Sequence, residues 1–298
     1  MTDADVGVAL YIGREAMDGL RRSQGQQVEP WQPTAPSTQR HLLGTDPGGA
    51  WIAEINGVPV GYALSLVRGH IWFLSQLFVQ PDQHGHGVGG ALLERAQTYG
   101  REGGARIFSV IALGSPAAHG LYMRAGMFAV GIGYRMIGPL EPLLALPQAD
   151  ANKKRIVDCS GWQDRIAGLD REVFGAERRQ DHAYYLRNDG FGEHGSFGLS
   201  RDGDLLGYGY AYAYADGAYI APLAAYEPPD QLPLLRMAAE WLIEHEASTA
   251  SMLVLSANKT IMGALLAAGW RSQGWTFLMT SGPFGKFDRY HPAGGALL

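Results

Sequence analysis

Four glycines stand within the six residues Gly85-His86-Gly87-Val88-Gly89-Gly90, between the apolar run His70–Gln80 and a helix-like stretch. Each glycine loses more backbone freedom on folding than any other residue, so a cluster needs a tight turn or a backbone that must approach a ligand. The letters satisfy G-x-G-x-x-G, the pattern of a dinucleotide-binding turn, but the context argues against that reading. Pro81-Asp82-Gln83-His84 separate the loop from the strand, and the next strand-like run, "ARIFSVIALG", ends without the carboxylate that would hold a ribose. An antiparallel hairpin before the loop also conflicts with a parallel βαβ start.

A second chemistry-bearing segment is "SPAAHGLYMRAGM", Ser115 to Met127, which sets Tyr122 on a short helix. Taken together the two segments resemble the GNAT superfamily of N-acetyltransferases. Leu77-Phe78-Val79-Gln80-Pro81 is similar to the family's strand end L-x-V-x-P, and His84-Gly85-His86-Gly87-Val88-Gly89 to the G-x-G loop that leads into a helix. Ser115 to Met127 is similar to the family's N-P-x-A-x-x-L-Y-x-x-x-G-F, with Ser115 in place of the common Asn and Met127 in place of Phe. The resemblance covers Thr2 to Met136.

It implies acetyl-CoA as co-substrate and a small-molecule amine, or a peptide amine, as acceptor. Main-chain N–H groups of Gly85, His86, Gly87, Val88, Gly89 and Gly90 would hold the coenzyme A pyrophosphate, helped by the positive end of the helix that starts near Val88. The strand carrying Leu77, Phe78 and Val79 would splay at a β-bulge, with the Leu77 and Val79 main chain meeting the thioester carbonyl and the pantetheine amides. Leu77 thereby serves catalysis as an oxyanion donor, and Tyr122 matches the family tyrosine that protonates the departing thiolate, a phenol of pKa about 10 facing a thiol of about 8.5. Ser115 falls in the cofactor-binding segment. His84 stands where the family commonly has Arg or Gln, so His84 and His86 read either as cofactor contacts or as solvated loop histidines. No third ligand accompanies them, and no metal site is expected. The family's carboxylate base has no counterpart, because Ser75-Gln76 occupy its place. Either could hold a relaying water, with His70 or Glu54 as its terminus, or an amine arriving neutral needs water alone. A coenzyme A-binding or sensing protein without turnover is the alternative function.

The elements that position these residues alternate. Asp5–Arg22 reads as a helix, and "AWIAEING" with "VPVGYALSLV" as a hairpin turning at Asn56-Gly57. His70–Gln80 reads as a third strand, Val88–Arg101 as an amphipathic helix, "ARIFSVIA" as a strand, and Pro116–Ala125 as a helix capped by Gly126. Gln24–Arg40 reads as a long polar loop where the family places acceptor contacts, and Trp31, Trp51, Trp72 and Phe73 read as an aromatic pocket or as core. The family's first strand, before its first helix, has no counterpart.

Composition bounds the rest. With 298 residues, 46% apolar and 18% charged, the chain reads as one or two folded domains. Its net charge is −5, from 24 basic and 29 acidic residues, with no basic block, so nucleic acid is not an expected partner. Cys159 is the only cysteine, which rules out an internal disulfide and a multi-thiolate metal site. No apolar run reaches the roughly 20 residues of a membrane span, and the acidic start is not that of a signal peptide, so the expected location is the cytoplasm.

The proline-bearing stretch "GPLEPLLALPQADAN" reads as a linker, giving an acetyltransferase domain at 1–140, a linker at 141–152 and a second domain at 153–298. "LYMRAGMFAVGIGYRM" and "ALLAAGWRSQGWTFLM" align at a constant offset, matching Ala125, Gly126, Gly131 and Met136 with Ala268, Gly269, Gly274 and Met279. The expected fold is α/β: two tandem GNAT-like domains, each a mixed, mostly antiparallel sheet flanked by helices. The second is degenerate, since it lacks a G-x-G loop and has Leu265 opposite Tyr122, although Asn258 keeps the family's Asn. It reads as a partner shaping the acceptor site or as a scaffold.

Overall fold

The computed structural model describes residues 1–28, 37–149, 155–187, 192–214 and 217–298. Trp31, most of the expected acceptor loop and the end of the expected linker lie outside the described residues. The chain forms two compact units. One comprises Met1–Phe128 with Met279–Gly282, and the other Ala129–Leu278 with Pro283–Leu298.

The first unit contains α1 (Val6–Ser23), α2 (Ser37–Thr45), β1 (Ala50–Ile55), β2 (Val58–Arg68), β3 (Ile71–Val79), α3 (Val88–Glu102), β4 (Ile107–Ala112) and α4 (Pro116–Arg124). Its strands lie in the order β1-β2-β3-β4. The hairpin turns at Asn56 and Gly57, both at positive φ, as the sequence expects of a two-residue loop. The β1–β2 and β2–β3 pairs are antiparallel, and β3–β4 is parallel. Helix α2 is a difference from the sequence reading, which has a polar loop as far as Arg40. Its buried residues include the polar Gln39 and His41, so no apolar period announces it.

The sheet is packed on both faces. Trp72 of β3 lies beneath Gly100 of α3, so closely that a Cβ there would come within 2.5 Å of the indole. Val79, seven residues on, lies 3.8 Å from the Cβ position of Gly89, on the same helix. A regular strand alternates sides at every residue and cannot place residues an odd number apart on one face. The extra residue is Ser75: Leu64 pairs with Gln76 but Ser65 with Leu74, so Ser75 bulges out of the ladder. Beyond the bulge, Leu77 and Val79 face α3. Gln76, Phe78 and Tyr62 face α1, where Gly13 leaves room for the Tyr62 hydroxyl at 2.8 Å from its Cβ position.

The second unit contains β5 (Phe128–Pro139), β6 (Arg155–Val157), α5 (Gln163–Val173), α6 (Arg179–Tyr185), β7 (Glu193–Arg201), β8 (Asp204–Tyr214), β9 (Gly217–Ala225), α7 (Gln231–Glu244), β10 (Thr249–Leu255), α8 (Lys259–Ala267), β11 (Arg271–Thr280) and β12 (Tyr290–His291). Its strand order is β11-β5-β10-β9-β8-β7-β6, with β12 beside β9. Leu140 and Leu143, after β5, are fully buried in this unit's core. The sequence correspondence has a structural counterpart. Ser115 caps α4 by accepting from the Ala118 N–H, and Asn258 caps α8 by accepting from the Ile261 N–H. Gly126 and Gly269 follow the two helices at φ 84° and 81°.

This unit encloses a polar core. Arg178 donates to both carboxylate oxygens of Asp170 at 3.0 Å and to the hydroxyls of Tyr208 and Tyr290. His182 bridges Asp170, at 2.8 Å, and the Tyr210 hydroxyl, at 2.9 Å. Burial alone raises the Asp170 pKa, but the charge of Arg178 and the bonds it receives outweigh that effect and hold it at about 2. Its contribution to stability therefore persists down to the ordinary carboxylate range and is lost only as pH falls through about 2. His291 behaves differently. Burial lowers its pKa from 6.5 to about 3, so between those values the unfolded chain takes up a proton that the folded chain refuses. Acidification from pH 7 to 4.5 is thus expected to lower the melting temperature of the unaltered protein more than that of His291→Gln. Equal falls in paired thermal melts contradict this assignment.

Candidate active site

Beyond the Leu74–Val110 pair the β3–β4 ladder ends, although β3 continues to Val79. The two parallel strands separate there. The Gln80 N–H donates to the Val60 carbonyl across to β2. Main-chain groups of an antiparallel ladder alternate in direction, so Phe78 also faces β2, whereas Leu77 and Val79 turn their N–H and C=O toward the side that β4 has left. Phe78 is thus committed to the β2 ladder, and its ring packs 5.7 Å from that of Tyr62. The Leu77 side chain lies on the α3 face, leaving its main chain as the group that meets the opening.

The strand leads straight into the glycine loop. Gly85 and Gly87 both have φ 84°, a left-handed conformation in which an L side chain is strained. Gly87 is the N-cap of α3, with no side chain bonded to the helix's first N–H groups. Those groups, at Val88, Gly89 and Gly90, are the orphan donors of a helix start, where the helix dipole is positive. Gly90 has ordinary helical φ, and apart from its chain neighbours and its own helix backbone no atom lies within 4 Å of its Cβ position. Nothing in the polypeptide requires a glycine there, although alanine suits a helix better by roughly 1 kcal/mol. Space kept open above a helix start is what a bulky anion needs.

Both loop histidines are exposed. His84 Nε2 lies 3.0 Å from the Val79 carbonyl oxygen, so this ring sits at the mouth of the opening between β3 and β4. Ser115 is turned to capping α4. Tyr122 on α4 is 6% exposed, and burial raises its phenol above the ordinary value of 10. It keeps its proton at neutral pH, but as an acid it is less closely matched to a thiol of pKa about 8.5 than a free phenol would be.

Two buried residues that sequence reasoning missed converge on the bulge. Gln76 Oε1 accepts from the Tyr62 hydroxyl at 2.9 Å and from Gln39 Nε2 of α2 at 3.2 Å. Ser75 Oγ is buried without a hydrogen-bond partner among the described residues. Tyr62 reads as core within its apolar strand, and Gln39 falls in the expected loop, so neither carried a sequence signal. His70 and Glu54 do not join this group. His70 precedes β3 at its opposite end, six residues from Gln76, or roughly 20 Å along an extended strand. Glu54 lies exposed on β1, two strands away. Among the described residues no group of His, Cys, Asp and Glu is arranged to hold a metal ion, and no helix is long and apolar enough to cross a membrane.

The loop geometry yields a contrast between two glycines. Gly87→Ala is expected to lower stability by about 1–2 kcal/mol through its left-handed φ, and Gly90→Ala to raise it by up to about 1 kcal/mol as a helix substitution. Thermal melts of the two variants check this, and a matching loss in both contradicts it.

This geometry has relatives. The Acetyltransferase (GNAT) family matches residues 15–127. An uncharacterized N-acetyltransferase of Methanocaldococcus jannaschii is 29% identical over 93 residues, which is 28% of this chain and 41% of that protein. The chain thus spans less than half of that curated relative. A candidate acetyltransferase of Pyrococcus horikoshii superposes with a TM-score of 0.69 at 18% identity, over 97% of this chain and 91% of the other. A tandem GNAT protein from the clavulanic acid biosynthesis pathway gives 0.63 at 17% identity, over 94% and 96%. A GCN5-related N-acetyltransferase of Sphaerobacter thermophilus gives 0.62 at 16% identity, over 94% and 93%. These likenesses establish the fold: a tandem GNAT arrangement of mixed sheets flanked by helices.

Proposed function

We propose that this GNAT-superfamily protein is an N-acetyltransferase that moves the acetyl group of acetyl-CoA to an amine, with the catalytic site in its N-terminal domain (1–140). One observation carries the reading. The opening between β3 and β4, lined by the main chain of Leu77 and Val79, runs directly into a helix start kept clear by Gly85, Gly87 and Gly90. A thioester beside a pyrophosphate fits that sequence of groups.

In this reading the pyrophosphate rests on the N–H groups of His86 to Gly90, with His84 at its edge, and the pantetheine arm runs along Val79 as a short extra strand. The Leu77 N–H donates to the thioester carbonyl. As the amine attacks, charge gathers on that oxygen and the same bond strengthens, which lowers the barrier. The C–S bond then breaks, and Tyr122 supplies the proton that the departing thiolate takes. The amine loses its proton to water, because β3 carries no carboxylate. The C-terminal domain (153–298) has Leu265 where Tyr122 stands, and prolines 228 and 229 where the glycine loop would be, so it takes no direct part in the transfer.

The absence of a carboxylate from β3 also favours a second reading, a coenzyme A-binding protein without turnover. Thiol release from acetyl-CoA, scanned over a panel of amines, separates the two. Tyr122→Phe is expected to lower kcat by about 100-fold while acetyl-CoA affinity, measured by calorimetry, changes less than about threefold. Binding without turnover by the unaltered protein supports the second reading. Turnover that Tyr122→Phe leaves intact removes Tyr122 as the acid.

A further inference from the structure

The amide of Gln76 is engaged through its oxygen. An amide oxygen has two acceptor sites, and here both are filled, by the Tyr62 hydroxyl at 2.9 Å and by Gln39 Nε2 at 3.2 Å. Both of these side chains are packed in place. Tyr62 is 2% exposed and Gln39 7%, and Gly13 of α1 leaves only enough room for the tyrosine hydroxyl. With its oxygen held from two sides, Gln76 presents its Nε2 group, two N–H donors that no described residue accepts from. Gln76 is only half-buried, so these donors meet whatever enters from the α1 and α2 side.

That position is next to the chemistry. Leu77, whose N–H faces the opening between β3 and β4, is the adjacent residue, its Cα about 3.8 Å from that of Gln76. The two also look to opposite faces of the sheet. The glycine loop and α3 lie on the Leu77 side-chain face, and the Gln76 amide lies on the other. A donor substrate and an acceptor can therefore reach the bulge from opposite faces. Neither β3 nor α2 carries a carboxylate, and of the two on α1 Asp18 is already paired with Arg14 and Arg21, leaving Glu15; an acceptor that reaches the Gln76 amide itself meets hydrogen-bond donors.

We propose that Gln76, locked by Tyr62 and Gln39, determines the acceptor: its N–H groups hold a carboxyl or carbonyl oxygen carried on the carbon beside the reacting amine. The acceptor class is then an α-amino acid or an α-amino amide, rather than a simple alkylamine or a polyamine. This rests on the acetyl-transfer reading above.

The test measures thiol release from acetyl-CoA with three series of probes: L-amino acids, their carboxamides, and the corresponding decarboxylated amines. One hydrogen bond to a buried polar site is worth about a factor of ten. The expected result is that oxygen-bearing members exceed their decarboxylated partners by about ten-fold or more in kcat/KM. Gln76→Met is expected to bring that ratio close to one, acting on KM more than on kcat, and Tyr62→Phe to shrink it by releasing the amide. Preference for the free acid identifies an amino acid as acceptor, and equal use of the carboxamide identifies a carbonyl such as that of a peptide N-terminus. A ratio near one in the unaltered protein, a ratio that Gln76→Met leaves unmoved, or no turnover with any member overturns the inference. Calorimetry with acetyl-CoA on the same preparation separates the two failures. If acetyl-CoA binds, only the acceptor assignment has failed; if it does not bind, the acetyl-CoA reading has failed too.

Discussion

The single extra residue at Ser75 sets the geometry of the first unit. Without it Trp72 and Val79 could not both pack against α3. With it, β3 changes the facing of every later residue and parts from β4 after Leu74. The N–H groups of Leu77 and Val79 and the Leu77 carbonyl are left pointing into the gap, while the Val79 carbonyl is met by His84 Nε2. Unpaired backbone groups of this kind are costly when buried, which is why a fold keeps them only where water or a ligand can satisfy them. The same bulge places Gln76 on the face opposite the glycine loop. One irregularity thus accompanies the opening and sets Gln76 and the glycine loop on opposite faces.

The second unit keeps the frame and fills it differently. Helices α4 and α8 occupy matching positions, with the same cap geometry and the same left-handed glycine at the end. Yet β9 runs into Pro228 and Pro229, and α7 starts without a glycine among its first residues. The first unit leaves the end of β3 without a β4 partner, whereas the second buries Arg178 and Asp170 among tyrosines that satisfy them. Removing one member of a buried pair strands the other charge, at a cost of about 3–5 kcal/mol. Such a network fixes the core of the unit, and its groups are already engaged with one another.

Much of the first unit is legible in the sequence because its signals are local. Asn56-Gly57 states a hairpin turn, Gly126 a helix end, and Gly85 and Gly87 a loop needing positive φ. The elements from Val6 to Arg124 follow the expected order except for α2. That helix hides because polar residues, Gln39 and His41, supply part of its buried face. The bulge is expected only through the family resemblance, and nothing in the residue pattern places it at Ser75. "IWFLSQLFV" reads as one strand interrupted only by Ser75-Gln76, and the β2 register with the spatial neighbours of Trp72 and Val79 shows where its alternation resets. Tyr62 and Gln39 were beyond reach for the same reason: their roles lie in pairings 14 and 37 residues from Gln76. The polar core of the second unit is also assembled from distant segments, and Arg178, Asp170 and His182 carry no motif that would announce it.

Amide hydrogen exchange with and without acetyl-CoA tests the central claim most directly, because the claim concerns main-chain groups that side-chain substitution does not remove. If the opened strand and the glycine loop form the cofactor site, acetyl-CoA slows exchange at Leu77, Val79 and His86 to Gly90, while amides of α7 in the second unit keep their rates. Exchange that stays unchanged across β3 and the loop, or protection confined to the second unit, would contradict the account.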